Sequence, residues 1–189
     1  MSYKGAWTRD SWPFKTVSKG LTWSWELPPP AFKQFHQAQT PELLEFVQDL
    51  LLAGAIEKCT SLKFQGPLFS VPKKDSAKRR VILDLSTLNK HIWCPSFRMT
   101  TVKDVRAVLP LGAFTCSLDL KDAYWHVPIH PAFRSYLGFR IGTQRYRFKV
   151  LPFGLNIAPR IFTKLCRAIL KELRVKGIGV LAYLDDWLV

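Results

Sequence analysis

Apolar residues recur in two rhythms along the chain, one helical and one alternating. From Thr40 the helical one takes over: Leu43, Leu44, Phe46, Val47, Leu50 and Leu51 repeat at helix spacing before Gly54. Thr40 is placed to cap and Pro41 suits a first helical position, so the pattern predicts a helix over about 41–53. LFSVP at 68–72 and RVILDL at 80–85 are β-prone runs joined by a polar link, which predicts a hairpin with a basic tip. Thr100 or Thr101 opens a short helix that ends near Pro110 and Gly112, and AFTCSLDL at 113–120 predicts a buried strand finishing on Asp119. LGFRI at 137–141 and QRYRFKV at 144–150 predict a second hairpin, with Arg145, Arg147 and Lys149 on one face and Tyr146, Phe148 and Val150 on the other. Residues 158–175 carry Ile161, Phe162, Leu165, Ala168, Ile169 and Leu173 at helical spacing and stop at Gly177. The last segment, IGVLAYLDDWLV, reads as a tight hairpin with Asp185 and Asp186 at its turn. Ahead of all this, residues 1–38 hold Trp7, Trp12, Trp23 and Trp25 without periodicity and then Pro28, Pro29 and Pro30, which predicts an irregular arm packed onto something else. The mixture of strands and helices is α+β.

Charge narrows the class of partner. The 189 residues carry 28 Lys and Arg against 14 Asp and Glu, a formal charge of +14. The excess is lopsided: residues 1–63 hold 7 basic and 6 acidic side chains, 64–126 hold 10 and 5, and 127–189 hold 11 and 3. Such an imbalance predicts a polyanion on the C-terminal two thirds. At 48% hydrophobic the chain can bury a core, which excludes wholesale disorder. Cys59, Cys94, Cys116 and Cys166 are far apart and lack zinc-finger spacing, and the four histidines are unclustered, so the chain reads as an intracellular protein with reduced thiols. The N-terminus has no apolar signal region, and no stretch approaches the length of a membrane span.

An acid pair inside an otherwise apolar hairpin is the sharpest chemical feature. An Asp-Asp dipeptide is a common turn in its own right. The alternative is that adjacent carboxylates beside dry strands need a cation, and a hard divalent ion such as Mg²⁺ takes oxygen ligands while keeping places for phosphate and water. Asp119, at the end of an independent strand, supplies a third carboxylate if the two strands are neighbours. Three carboxylates in so basic a chain suit a two-metal phosphoryl displacement.

YLDD at 183–186, LDLKDAYWHVPI at 118–129, VLPFGLNIAPRIF at 150–162 and VPKKDSAKRRVILDLSTLNK at 71–90 resemble, in order and spacing, the reverse transcriptase domain of retroelements. The resemblance runs from about Leu43 to the last residue, and the phrasing is most like the DIRS-type retrotransposon branch. It implies the fingers and palm of a right-hand polymerase. The implied divisions are a Trp- and Pro-rich arm (1–38), fingers (39–93), palm with the first catalytic acid (94–126), fingers and nucleotide pocket (127–157), and palm ending just after the YLDD hairpin (158–189). The implied activity is RNA-directed DNA polymerisation, a nucleotidyl transfer from dNTP to a primer 3′-hydroxyl on an RNA or DNA template. Two Mg²⁺ ions, or Mn²⁺, would serve as cofactors.

By the same resemblance Asp119, Asp185 and Asp186 are the catalytic acids, with Asp119 and Asp185 the direct metal ligands and the Leu120 carbonyl a further oxygen. Lys73 and Arg80 would meet the incoming triphosphate, as would the backbone amides of Asp122 and Ala123. Tyr124 matches the aromatic that fills the space a ribose 2′-hydroxyl needs. Phe153 and Gly154 correspond to the floor of the nucleotide pocket, and Tyr183 and Leu184 to the strand at the primer end. Asn89, Gly154 and Pro159 fall on the template–primer side. The basic face of Arg145, Arg147 and Lys149 would hold phosphates, with binding that weakens steeply in salt.

Two positions depart from the pattern: Ser86 stands where many retroviral relatives have Arg, and Trp125 replaces the more usual Phe. Val189 lies three residues after Asp186, so the expectation is a fragment without thumb or RNase H, part of a larger polyprotein. The competing reading is a catalytically inactive nucleic-acid-binding remnant that keeps the basic face. An RNA-binding sheet of the RRM type lacks support, because RYRFKV and LGFRI do not supply its aromatic strand.

Overall fold

The computed structural model describes residues 7–35, 37, 39–73, 76–108 and 112–189 and, within helices and strands, all side chains but those of 72–80, 102, 107 and 108. Six helices and eight strands are assigned among them, in three small antiparallel sheets.

Helix α1, Trp12–Lys19, lies in the arm that the sequence predicts to be irregular. Ser11 caps it by accepting from the Phe14 amide and a proline sits in its first turn, a local signal that outweighs the absence of a long apolar stripe. Beyond Gly20 the arm is extended. Leu21 bridges to Ile129, Trp25 bridges to Ile92, and Leu21 and Trp23 enter the core. Trp23 packs edge-on to Phe133 at 4.5 Å, and Trp25 does so to Tyr136 at 4.9 Å.

Helix α2, Pro41–Leu52, is capped by Thr40 as expected and buries Leu43, Val47 and Leu50. It turns directly into β1, Ile56–Cys59, the outer strand of a sheet ordered β1-β6-β5. There β5 (Gly138–Ile141) and β6 (Gln144–Phe148) form the expected hairpin, and Ile56 lies opposite Phe148. Phe139 is fully buried, stacked on Tyr146 at 5.4 Å, and burial of such a ring is worth about 1.5–3 kcal/mol. The basic hairpin is present as β2 (Leu68–Lys73) against β3 (Ser76–Leu83), followed by the short α3, Ser86–Asn89.

The third sheet is ordered β4-β8-β7, from β4 (Ser117–Asp119), β7 (Leu181–Tyr183) and β8 (Asp186–Leu188). Helix α4, Val102–Val108, precedes it, and helix α6, Ala158–Val175, packs against β7 and the 3-10 turn 123–126. Between them the single-turn α5, Pro131–Arg134, leads into β5. The run 113–120 departs from its expectation of a buried strand. Only 117–119 is strand, Leu118 is 48% exposed and Phe114 is fully exposed, because β4 is an edge strand that, among the described residues, is paired through β8 alone. All four cysteines are free thiols, and no helix among the described residues is long and apolar enough to cross a membrane.

Candidate active site

The three acids meet at one end of the third sheet. Asp119 closes β4 and Asp186 opens β8, and the two lie directly opposite in register. Across the other edge Asp186 pairs with Tyr183, leaving Leu184 and Asp185 as the two-residue turn. Leu184 has φ 54°, a left-handed conformation that costs a branched residue about 1–2 kcal/mol. It is held by two bonds: the Trp187 indole donates to the Leu184 carbonyl at 3.2 Å, and the Leu120 amide donates to the Asp185 carbonyl at 2.9 Å. The second bond joins the two acid-bearing segments. All three carboxylates are exposed, and among the described residues none makes an ion pair or a side-chain hydrogen bond.

Among the described residues no group of three or more His, Cys, Asp and Glu side chains is arranged so as to hold a metal ion. The donor set nevertheless fits a hard divalent cation of the Mg²⁺ kind. Mg²⁺ is held by one or two carboxylates together with water and substrate phosphate, and needs no all-protein cage. Exposed carboxylates on adjacent strand ends, without other partners among the described residues, leave their oxygens open to such an ion.

Next to the acids the chain makes its other unusual turn. Asp122 is left-handed, φ 53° and ψ 39°, and starts the 3-10 turn Ala123–His126. Among the described residues Asp122 and Leu184 are the non-glycine positions with positive φ, and both fall at this site. The turn buries Tyr124, 8% exposed, with Phe153 at 5.0 Å and Phe162 of α6 at 5.5 Å. Burial, with the Asp185 charge adding to it, pushes the Tyr124 hydroxyl up to about 12, so the ring presents a neutral phenol beside the acids.

Phe153 is itself positioned by Asn89. The Asn89 side-chain amide donates to the Gly154 carbonyl at 2.8 Å, its oxygen accepts from the Asn156 amide at 2.9 Å, and the Asn156 side chain donates back to the Asn89 carbonyl at 3.0 Å. Gly154 permits the fit: its φ is 93°, and a Cβ there would stand 2.8 Å from the Leu83 carbonyl oxygen. The loop 152–156 is thereby fastened to α3 and lies close against the end of β3.

The remaining predicted residues are spread more widely. Lys73 and Arg80 lie on paired strands of the β2–β3 hairpin, and their side chains fall outside the described ones, as do those of the other hairpin-tip cations. Arg145 donates to the Thr60 carbonyl at 2.9 Å, and Arg147 is paired with Glu57 at 2.7 Å, so part of this face's charge is already neutralised. Lys149 is half-buried beyond β6, Pro159 sits in the first turn of α6, and Tyr183 is half-exposed at the end of β7. Neither Asn156 nor Phe162, the latter part of the apolar stripe of α6, is among the site residues that the motifs imply. Both lie in the same block as Phe153, but only the folded chain shows one bonded to Asn89 and the other against Tyr124.

Comparison with known proteins agrees with this geometry. The family described as "Reverse transcriptase (RNA-dependent DNA polymerase)" matches residues 71–189. Protein P of heron hepatitis B virus is 31% identical over 135 residues, 66% of this chain and 16% of that protein. The Retrovirus-related Pol polyprotein from transposon 412 of Drosophila melanogaster is 27% identical over 157 residues, 80% of this chain and 12% of that protein. The Gag-Pro-Pol polyprotein of squirrel monkey retrovirus is 30% identical over 160 residues, 80% of this chain and 8% of that protein. The crystal structure of prototype foamy virus protease-reverse transcriptase superposes with a TM-score of 0.71 at 26% identity, over 85% of this chain and 21% of that one. The chain belongs to the reverse transcriptase family, a polymerase domain carried within retroviral and retrotransposon polyproteins. It spans less than a fifth of the length of these three curated relatives.

Proposed function

We propose that this domain copies a nucleic-acid template into DNA, RNA being the template that defines the family. The primer 3′-oxygen bonds to the α-phosphorus of a bound dNTP as the bond to the bridging oxygen breaks, pyrophosphate leaves, and the 3′-hydroxyl proton passes to water. The observation that carries this reading is the shared rung of Asp119 and Asp186, with Asp185 bonded through its backbone to Leu120. Asp119 and Asp185, with the Leu120 carbonyl and Asp186, would hold divalent ions, Mg²⁺ or Mn²⁺. Such ions, when bound, stabilise negative charge on the attacking and leaving oxygens.

The other residues orient the substrate. The Tyr124 ring, fixed by Phe153 and Phe162, occupies the place of a ribose 2′-hydroxyl and so favours deoxynucleotides by sterics. The amides of Asp122 and Ala123, together with Lys73 and Arg80 on the hairpin, meet the triphosphate, where preplaced positive charge stabilises the developing oxyanions. Tyr183 and Leu184 lie beside the primer terminus. Arg145 and Lys149 contribute the freer charge of the template–primer face, and Pro159 and Gly154 border it. Asn89 acts on this face through the loop it fastens. A DIRS-type retrotransposon origin rests on the phrasing of PFGLNIAPRIFTK and YLDDWLV together with the Trp- and Pro-rich lead-in.

Primer extension on an RNA template, with dNTPs and Mg²⁺, tests the reading beside an Asp185→Asn/Asp186→Asn variant. Extension by the wild-type chain that disappears in the variant supports it. Template–primer binding without extension in either protein would favour a non-catalytic binding module instead.

A further inference from the structure

A second basic surface lies away from the acids, along the C-terminal half of α6. Arg167, Lys171 and Arg174 recur at four- and three-residue intervals, on one helix face, and all three are exposed. They line a cavity of about 560 Å³ with Thr100, Leu170 and Val175. A second hollow of about 380 Å³ adjoins it and shares Thr100, Arg167 and Arg174, so the two form one groove between α6 and the segment 98–104. Phe162, the α6 residue that touches Tyr124, is twelve residues before Arg174, a separation of about 18 Å along the helix.

The way these cations are held is the informative feature. Arg167 donates to the Arg98 carbonyl and Arg174 donates to the Val180 carbonyl at 3.0 Å. Carbonyls orient a guanidinium without cancelling its charge. Among the described residues the one carboxylate lining the groove, Asp104, is engaged by Arg98 at 2.7 Å and by both the amide and the hydroxyl of Thr101. Those Thr101 bonds, helped by the Arg98 charge, hold the Asp104 carboxyl below its ordinary range. Three like charges one turn apart destabilise an isolated helix, and that cost is relieved when an anion sits among them. The segment 98–101 also closes the outer edge of the third sheet, since the Thr100 hydroxyl donates to the Ala182 carbonyl at 2.7 Å. The floor of the groove is therefore tied to the strand that leads to Asp185.

We propose that this groove is a second nucleic-acid contact, a track that takes the phosphates of a single strand outside the polymerase cleft. Its length suits a strand better than a single phosphate, because Arg167 and Arg174 are about 10 Å apart along the axis. Among the described residues no aromatic side chain lines either hollow, so recognition rests on the strand's backbone. The contact is accordingly indifferent to sequence and steeply dependent on salt. It requires no catalytic activity, so its test stands apart from that of the polymerase reading.

The experiment titrates the 189-residue chain onto a fluorescent 20-nucleotide single strand between 50 and 200 mM NaCl, for oligo-dT and oligo-dA. The variant Arg167→Gln/Lys171→Gln/Arg174→Gln removes three charges from the groove. Lys15→Gln/Lys19→Gln/Lys33→Gln removes three from the N-terminal region. With about 0.7 per phosphate contact on a single strand, the groove variant is expected to show a log–log salt slope shallower by about 2, while the control keeps the wild-type slope. Photocrosslinking with a thiothymidine strand is expected to label peptides from the second half of α6. Equal slopes for wild type and groove variant, an equal loss in the control, or crosslinks confined to the acid-bearing end would overturn the proposal. Displacement of the crosslink by polyglutamate but not by excess oligonucleotide would assign the groove to an acidic protein instead.

Discussion

The Leu120 amide donates to the Asp185 carbonyl at 2.9 Å, and this one bond fastens the end of the first acid-bearing strand to the turn that carries the second and third acids. Because it runs through backbone atoms, it survives exchange of the side chains it positions. The Asp185→Asn/Asp186→Asn variant is therefore expected to fold as the wild type does. Its urea-unfolding free energy should match the wild-type value within about 0.5 kcal/mol, since both side chains are exposed and make no ion pair among the described residues. Primer extension should fall by at least about 100-fold. A loss of several kcal/mol in the unfolding measurement would show that the acids hold the hairpin together.

Tyr124 is buried against both Phe153 and Phe162, which leaves its ring little freedom. Tyr124→Val opens the space beside the sugar, and the ratio of ribonucleotide to deoxyribonucleotide incorporation should rise by about 10-fold or more, measured with matched rNTP and dNTP in single-turnover extension. Tyr124→Phe, which keeps the ring, should leave the ratio near wild type. An unchanged ratio in the valine variant would remove Tyr124 from sugar selection.

Asn89 makes three hydrogen bonds to residues 154–156. Asn89→Ala leaves the Asn156 amide and the Gly154 carbonyl without their partner, and is expected to cost about 1–3 kcal/mol in chemical unfolding. If the loop positions Phe153, the KM for dNTP should rise more than kcat falls. An increase in template Kd with an unchanged KM would instead make Asn89 a template contact. Gly154→Ala should act on the same loop, because its Cβ meets the Leu83 carbonyl oxygen and its φ is positive.

Two buried acids set an alkaline limit to stability. Burial raises the Cys166 thiol from 9.0 to about 12, and burial with Asp185 raises the Tyr124 hydroxyl from 10.0 to about 12. Both groups stay neutral in the folded chain at a pH where the unfolded chain ionises them. Their contribution is complete below the unfolded values and is lost as pH rises from about 9 toward 12. The midpoint of urea unfolding should accordingly fall with pH from about 9 upward, and Cys166→Ala should flatten the first part of that decline. At pH 8 a thiol reagent should modify exposed Cys116 quickly and Cys166 only after unfolding.

Local pattern by itself determined a good deal of this protein. Thr40 and Pro41 open α2, the alternation of Arg145 to Phe148 marks β6, and the stripe from Ile161 to Leu173 closes at Gly177, because capping, alternation and helical spacing act between near neighbours. The four motif blocks likewise located the candidate acids and Tyr124. Near-neighbour rules can mislead where burial decides. An apolar run such as 113–120 looks like a core strand, yet its burial depends on what covers it, and at the sheet edge nothing among the described residues does. The short α1 was hidden for the opposite reason, its signal being one cap and one proline without a long stripe.

Tertiary structure alone decided how distant residues are held against one another. Asp119 and Asp186 are 67 positions apart and meet through strand register, and Asn89 reaches Gly154 across 65. Arg167 is turned into a groove by the carbonyl of Arg98, 69 residues earlier. Pairings of this kind depend on chain closure and mutual packing rather than on local preference, so the sequence names the partners while only the fold brings them within a hydrogen bond of one another.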